Sequence, residues 1–251
     1  MDRGDNKPRD DGCEAKPKFK PRRDRIPAAF DSPAAGAYGS FMRGRLITFE
    51  GGEGSGKSTQ ARLLADALRK IGHAVVETRE PGGSPFAERL RAFILDPALP
   101  PHIPLAEALL FYAARADHLA AVIRPALERG EWVICDRFSD STRVYQGAAG
   151  ALPSATIETL ETLVVGELSP DLTIVLDLPA EEGLARARAR STASDSYESR
   201  GAAYHERLRI GFAELARHNP DRVQLIDGRD AIETIAAHVA ATVANRLGVA
   251  F

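Results

Sequence analysis

The stretch Gly51-Gly52-Glu53-Gly54-Ser55-Gly56-Lys57-Ser58 fits G-x-x-x-x-G-K-[ST], and its flanks restrict the fold more than any other feature of the chain. Before it, Leu46-Ile47-Thr48-Phe49-Glu50 is short, apolar and partly β-branched, the pattern of a buried strand. After it, Leu63, Leu64, Ala67, Leu68 and Ile71 recur at helical spacing, and Gly72 stands where a helix C-terminal glycine belongs. Strand, glycine loop and helix in that order make the motif meaningful. The glycines let successive backbone N–H groups turn inward on one anion, and the helix N-terminus adds its positive end. Gly51, Gly52, Glu53, Gly54, Ser55, Gly56, Lys57, Ser58 and Thr59 are therefore the expected binding segment for the phosphates of ATP. Lys57 is expected to reach the β- and γ-phosphates as an exposed ammonium with no packing role, and the Ser58 hydroxyl to hold Mg²⁺.

The rest of the chain alternates. Strands are expected over 74–78, 132–135, 173–178 and 222–226, and helices over 85–95, 105–128, 154–163 and 231–246, with an arginine-rich helical segment from Glu181. Strands alternating with helices predict a five-stranded parallel sheet covered on both faces. Residues 1–41 differ: nine Lys or Arg, seven Asp or Glu, five Pro, four Gly, and Ile26 as the only Ile, Leu or Val. Such a segment buries too little apolar surface to offset its ordering entropy, so a disordered tail before a single domain over 42–251 is expected. Met42, the only methionine after Met1, reads as the natural start.

Composition excludes several classes. A formal net charge of −2 argues against nucleic-acid polymers and anionic membranes as partners. Cys13 and Cys135 form no disulfide framework, and no apolar run reaches membrane-spanning length, so a cytoplasmic location is expected. A P-loop alone serves kinases, GTPases and motors alike. The guanine-specifying Asn-Lys-x-Asp pattern is missing, and the third strand ends Cys135-Asp136-Arg137, an acid followed by a cation. Asp136 suits a metal and Arg137 a second phosphate, which favours a kinase with a phosphorylated acceptor.

Five segments together resemble the thymidylate kinase family: the loop 51–59; Thr78-Arg79-Glu80-Pro81-Gly82-Gly83; Leu110-Phe111-Tyr112-Ala113-Ala114-Arg115; Asp136-Arg137-Phe138 running to Tyr145-Gln146-Gly147; and 169–177. The resemblance covers about residues 43 to 247. It implies phosphorylation of dTMP to dTDP with ATP and Mg²⁺, and a homodimer. It also implies residue roles. Phe111 stacks on thymine, Arg115 donates to a thymine carbonyl, and Thr142 and Gln146 address the remaining polar edge. Arg137 and Arg91 hold the acceptor phosphate, Glu53 orients Arg137 or the sugar hydroxyl, and Glu80 supports the arginines. A kinase for another monophosphate such as dUMP, and an ATP-binding regulator without turnover, are the alternatives.

Leu184-Ala185-Arg186-Ala187-Arg188-Ala189-Arg190 and the serine-rich stretch to Arg200 resemble the family's mobile lid, expected over about 184–201. Asp195-Ser196-Tyr197-Glu198 carries a serine where the family's Asp-Arg-x-Glu has arginine, and Gly54 stands where some members place one in the loop. Arg186 and Arg190, one turn apart, are the expected lid cations.

Overall fold

The computed structural model of the 251-residue chain describes Met1, residues 44–100, 102–190, Tyr197 and 200–251. The chain divides into Met1–Ser40 and Phe41–Phe251, and the sheet and its helices belong to the second unit. The expected tail over 1–41 and start at Met42 lie outside the described residues, as do Ser196 and most of the segment between Arg190 and Arg200.

Strand β1 (Leu46–Glu50) is buried at every position because it is the central strand of the sheet. With β2 (Val75–Arg79), β3 (Trp132–Asp136), β4 (Leu172–Asp177) and β5 (Val223–Asp227), it forms a five-stranded parallel sheet in the order β2-β3-β1-β4-β5. β3 and β4 read as near-continuous apolar runs, whereas β2 and β5, at the edges, are half exposed. Alternation along β1 sends Ile47 and Phe49 to one face and Leu46 to the other. On the first face, helices α1 (Lys57–Lys70) and α9 (Ile232–Leu247) close over Ile47, Phe49, Ile134 and Ile174 with Leu64, Leu68, Ile235 and Val239. The register pairs Phe49 with Asp136, so the glycine loop leaving β1 and the Asp136-Arg137 turn leaving β3 stand side by side.

Helix α2 covers Pro85–Ile94, with the Ser84 side chain accepting from the Ala87 N–H at its N-terminus. The single helix expected over 105–128 is broken. Helix α3 (Pro104–His118) gives way to a π-helical stretch over Leu119–Ile123, and α4 (Arg124–Glu128) follows. Pro125 has no N–H to continue the ladder, and the Arg124 N–H bonds Leu119 O, five residues back. Helix α5 (Ser139–Thr142) runs into a second π-helical stretch over Arg143–Ala148, and α6 covers Ser154–Val164.

Helix α7 (Ala180–Arg190) buries Leu184 and Ala187 and exposes Arg186 and Arg188. Its backbone lies directly on the glycine loop. Gly54 has φ 68°, and a Cβ there would fall 2.0 Å from Gly183 O; a Cβ on Gly183 would fall 2.3 Å from Glu53 O. Helix α8 (Ala202–His218) has no counterpart in the sequence reading. Tyr204, Leu208 and Phe212 bury at four-residue spacing against Val175 and Val223, a pattern obscured by the surrounding arginines.

Candidate active site

The donor side of the site is local. Gly56 caps α1 in the left-handed conformation (φ 95°), which side chains adopt at a cost and glycine does not. The first N–H groups of α1 have no intrahelical acceptors and belong to the loop. Lys57 corrects the expectation of an exposed ammonium: it is 7% exposed, and Nζ donates to Gly52 O at 2.7 Å and Ser55 Oγ at 3.3 Å. Burial, with Arg137 nearby, brings its pKa down to about 8.

Ser58 Oγ donates to Asp136 Oδ2, joining the two residues expected to hold Mg²⁺. Asp136 Oδ1 is buried with no hydrogen-bond partner among the described residues. A buried carboxylate oxygen left over beside a hydroxyl suits a hard cation, and Mg²⁺ takes few protein ligands and completes its shell with water and phosphate. No group of three or more His, Cys, Asp or Glu able to hold a metal occurs among the described residues.

Arg137 adopts φ 70°, a conformation that costs a non-glycine residue on the order of 1–2 kcal/mol. Glu50 holds it there from below. Glu50 Oε1 accepts from the Phe138 N–H at 2.8 Å and Oε2 from Ser141 Oγ at 2.5 Å, while Cys135 Sγ donates to Arg137 O at 3.0 Å. Burial first, then Asp140, raises the Glu50 pKa to about 8. From that turn Arg137 donates Nη1 to Gly51 O at 3.0 Å and Nη2 to Glu53 Oε1 at 2.8 Å, with its guanidinium over the Tyr145 ring. Burial raises the Glu53 pKa, but Arg137, Lys57 and the Tyr145 hydroxyl outweigh it and bring it to about 2.

The acceptor side is assembled from distant segments. Glu53, Glu80, Arg91, Phe111, Arg137, Thr142 and Gln146 line one cleft, together with Pro81, Leu95, Ser141, Tyr145 and Tyr197. A second depression, lined by Gly54, Gly56, Lys57, Ser58 and Asp136, shares Glu53, Glu80, Arg91 and Arg137 with the first. Phe111 is half buried and stands edge-on to Tyr197, and Arg91 Nη1 donates to Pro81 O at 2.8 Å.

Arg115 differs from expectation. It does not line the cleft; it is 2% exposed, with Nε donating to Glu80 Oε2 at 2.7 Å. Both Nη atoms reach Thr142 Oγ1 at 3.1 Å, and Nη2 also reaches Phe138 O. Glu80 is likewise engaged on its second oxygen by His118 Nδ1 at 3.0 Å, so Arg115 and His118 between them hold both its oxygens. Arg143, beside Thr142, turns outward to Glu161. Arg186 is exposed and donates to Gly228 O at 3.1 Å, after β5; the Arg190 side chain lies outside the described residues. Glu50, Ser141, Tyr145, Glu107 and Tyr197 are site residues that sequence reasoning misses. Ser141 and Tyr145 lie inside the Asp136–Gly147 stretch that carries the resemblance, but the two glutamates have no sequence signal beyond being acidic residues in apolar surroundings.

Two depressions with a common wall of arginines allow one phosphoryl group to pass between two bound nucleotides. On a P-loop parallel sheet of this order, that is the design of a nucleoside monophosphate kinase. A sequence model of the thymidylate kinase family matches residues 49–239. Thymidylate kinase of Caulobacter vibrioides is 53% identical over 207 residues, spanning 82% of this chain and 99% of the relative. That of Geobacter sulfurreducens is 48% identical over 209 residues, spanning 81% and 98%. The crystal structure of thymidylate kinase from Ehrlichia chaffeensis superposes with a TM-score of 0.67 at 32% identity, covering 80% of this chain and 99% of that one. The chain belongs to the thymidylate kinase family.

Proposed function

We propose that this chain carries out its family's reaction, transfer of the γ-phosphoryl group of ATP to dTMP, giving ADP and dTDP. The observation that carries the reading is the shared wall. Glu53, Glu80, Arg91 and Arg137 border both depressions, so an acceptor phosphate held by Arg91 and Arg137 sits next to the loop that holds the donor. Lys57 exchanges Gly52 O and Ser55 Oγ for phosphate oxygens when ATP binds, and the loop amides take the rest of the charge. Arg137 is aimed before substrate arrives, because Glu53 and Gly51 O hold its two nitrogens. Little reorganisation is then needed at the moment of transfer.

Phe111 offers its face to thymine, and Thr142 and Gln146 its polar edge. Arg115 fixes the Thr142 hydroxyl and acts on the ring only through it. Ser58 and Asp136 hold Mg²⁺, which neutralises phosphate charge when bound. Arg186 and Arg190, the lid arginines that the resemblance implies, supply the cation that closes over the transferring group and help exclude water. Phe86 and Phe93 on α2, and Leu105 and Leu109 on α3, are exposed apolar side chains on two neighbouring helices, and a second copy of the chain covers them. No described helix is long and apolar enough to cross a membrane.

The test is coupled ADP release with dTMP, dUMP, CMP and AMP, with and without a chelator, and sedimentation for the dimer. Turnover is expected with dTMP first and is abolished by chelation. A preference for CMP or AMP overturns the reading.

A further inference from the structure

We infer that Glu107 is a positioning residue for base selection: it locks the Gln146 amide so that only a ring with a donor at N3 is accepted. The inference rests on the proposed function, in which Gln146 faces the pyrimidine edge.

Gln146 Nε2 donates to Glu107 Oε2 at 3.2 Å. The other oxygen, Oε1, takes the Tyr197 hydroxyl at 2.7 Å and Arg200 Nη2 at 2.6 Å. Burial opposes the carboxylate's charge, but Tyr197 and Arg200 outweigh it and keep the pKa below the ordinary range. An ionised carboxylate accepts and never donates, so it tolerates only the NH₂ end of a neighbouring amide. Turning Gln146 over would set its carbonyl oxygen against a negative charge in a buried setting.

Gln146 Oε1 is thereby left to the cleft, and it carries no hydrogen bond among the described residues. A fixed acceptor pairs with the N3–H of thymine or uracil. Cytosine offers a lone pair at N3 and meets it acceptor to acceptor. A glutamine free to rotate would serve either ring, so the discrimination belongs to Glu107 as much as to Gln146. The same carboxylate holds Tyr197, which lines the cleft edge-on to Phe111, so the amide and the cleft wall are set by one group.

The experiment compares kcat/KM for dTMP, dUMP and dCMP in the unsubstituted chain, Glu107→Gln and Tyr197→Phe. Glu107→Gln is isosteric, and Arg200 and Tyr197 keep its carbonyl oxygen at the Oε1 position, so its NH₂ faces Gln146 and turns that amide over. It is expected to lower the dTMP-over-dCMP ratio about 10-fold and leave the dTMP-over-dUMP ratio unchanged, since both of those rings carry N3–H. Tyr197→Phe, which removes a contact to Glu107 without freeing Gln146, is expected to keep both ratios. Glu107→Ala gives the same readout if the isostere does not fold. The proposal is overturned if Glu107→Gln preserves the dCMP ratio, or if both ratios move together as a loosened pocket would move them. Absence of dTMP turnover in the unsubstituted chain instead overturns the functional reading, and this inference with it.

Discussion

The donor loop and the acceptor wall meet at Arg137 but are built on opposite plans. The loop is one run of neighbouring residues, Gly51 to Ser58, which offers backbone groups and one cation. The wall draws Glu80, Arg115, Thr142, Gln146 and Glu107 from segments up to 66 residues apart and holds them through buried ionic hydrogen bonds. A local site loses chemistry when a residue is removed and keeps its shape. A dispersed site loses its shape first.

Arg115→Ala is the most severe test of that contrast. It leaves Glu80 with a buried charge and only His118 beside it, and unfolding free energy should fall by about 3–5 kcal/mol. Chemical denaturation measures it, and a variant as stable as the parent would break the contrast. Lys57→Met should do the reverse, lowering kcat by roughly 10²-fold or more with little change in unfolding free energy. Because Lys57 is itself buried, its apolar replacement keeps the packing. Collapse of the fold in place of kcat would show that the loop is not an independent unit.

Glu50 lies between the two regions and sharpens the comparison through pH. Its folded pKa of about 8 stands above the ordinary carboxylate value, so the native state holds a proton that the unfolded chain releases. That contribution is fully present below the unfolded pKa and is lost as pH rises toward 8. Glu50→Gln has no such proton to lose. Its stability relative to the parent should therefore improve between pH 5 and pH 8, by on the order of 2 kcal/mol. A flat difference in thermal or urea unfolding over that range would place the proton elsewhere. The smallest effect belongs to the strained turn: Arg137→Gly should be more stable than Arg137→Ala by about 1 kcal/mol, since glycine adopts φ 70° freely. Equal stabilities would mean that the Glu50 hydrogen bonds do not hold a strained residue.

The two plans also explain what can be read without coordinates. β1, β3 and β4 are apolar runs buried on both faces, and the P-loop is contiguous, so each carries its signal in neighbouring residues. The break at Leu119–Ile123 depends on one missing N–H at Pro125 inside an otherwise continuous helical pattern. α8 hides its buried stripe among arginines. Arg115 is legible as important but not in how it acts, because a helical arginine gives no sign of which carboxylate it will meet. Glu107 and Glu50 read as ordinary charged residues. Only the fold shows that one faces Gln146 and the other the turn at Arg137.

The close seating of α7 on the glycine loop reaches into the chain's mutational future. The family resemblance implies an arginine at the position of Gly54 in some members. Here any side chain at 54 meets Gly183 O, and any side chain at 183 meets Glu53 O. Neither residue can change alone without pushing α7 off the loop. A lineage carrying this sequence therefore has no one-step route to a cation at position 54. The two arrangements are neighbours in chemistry and separated by a valley in sequence space.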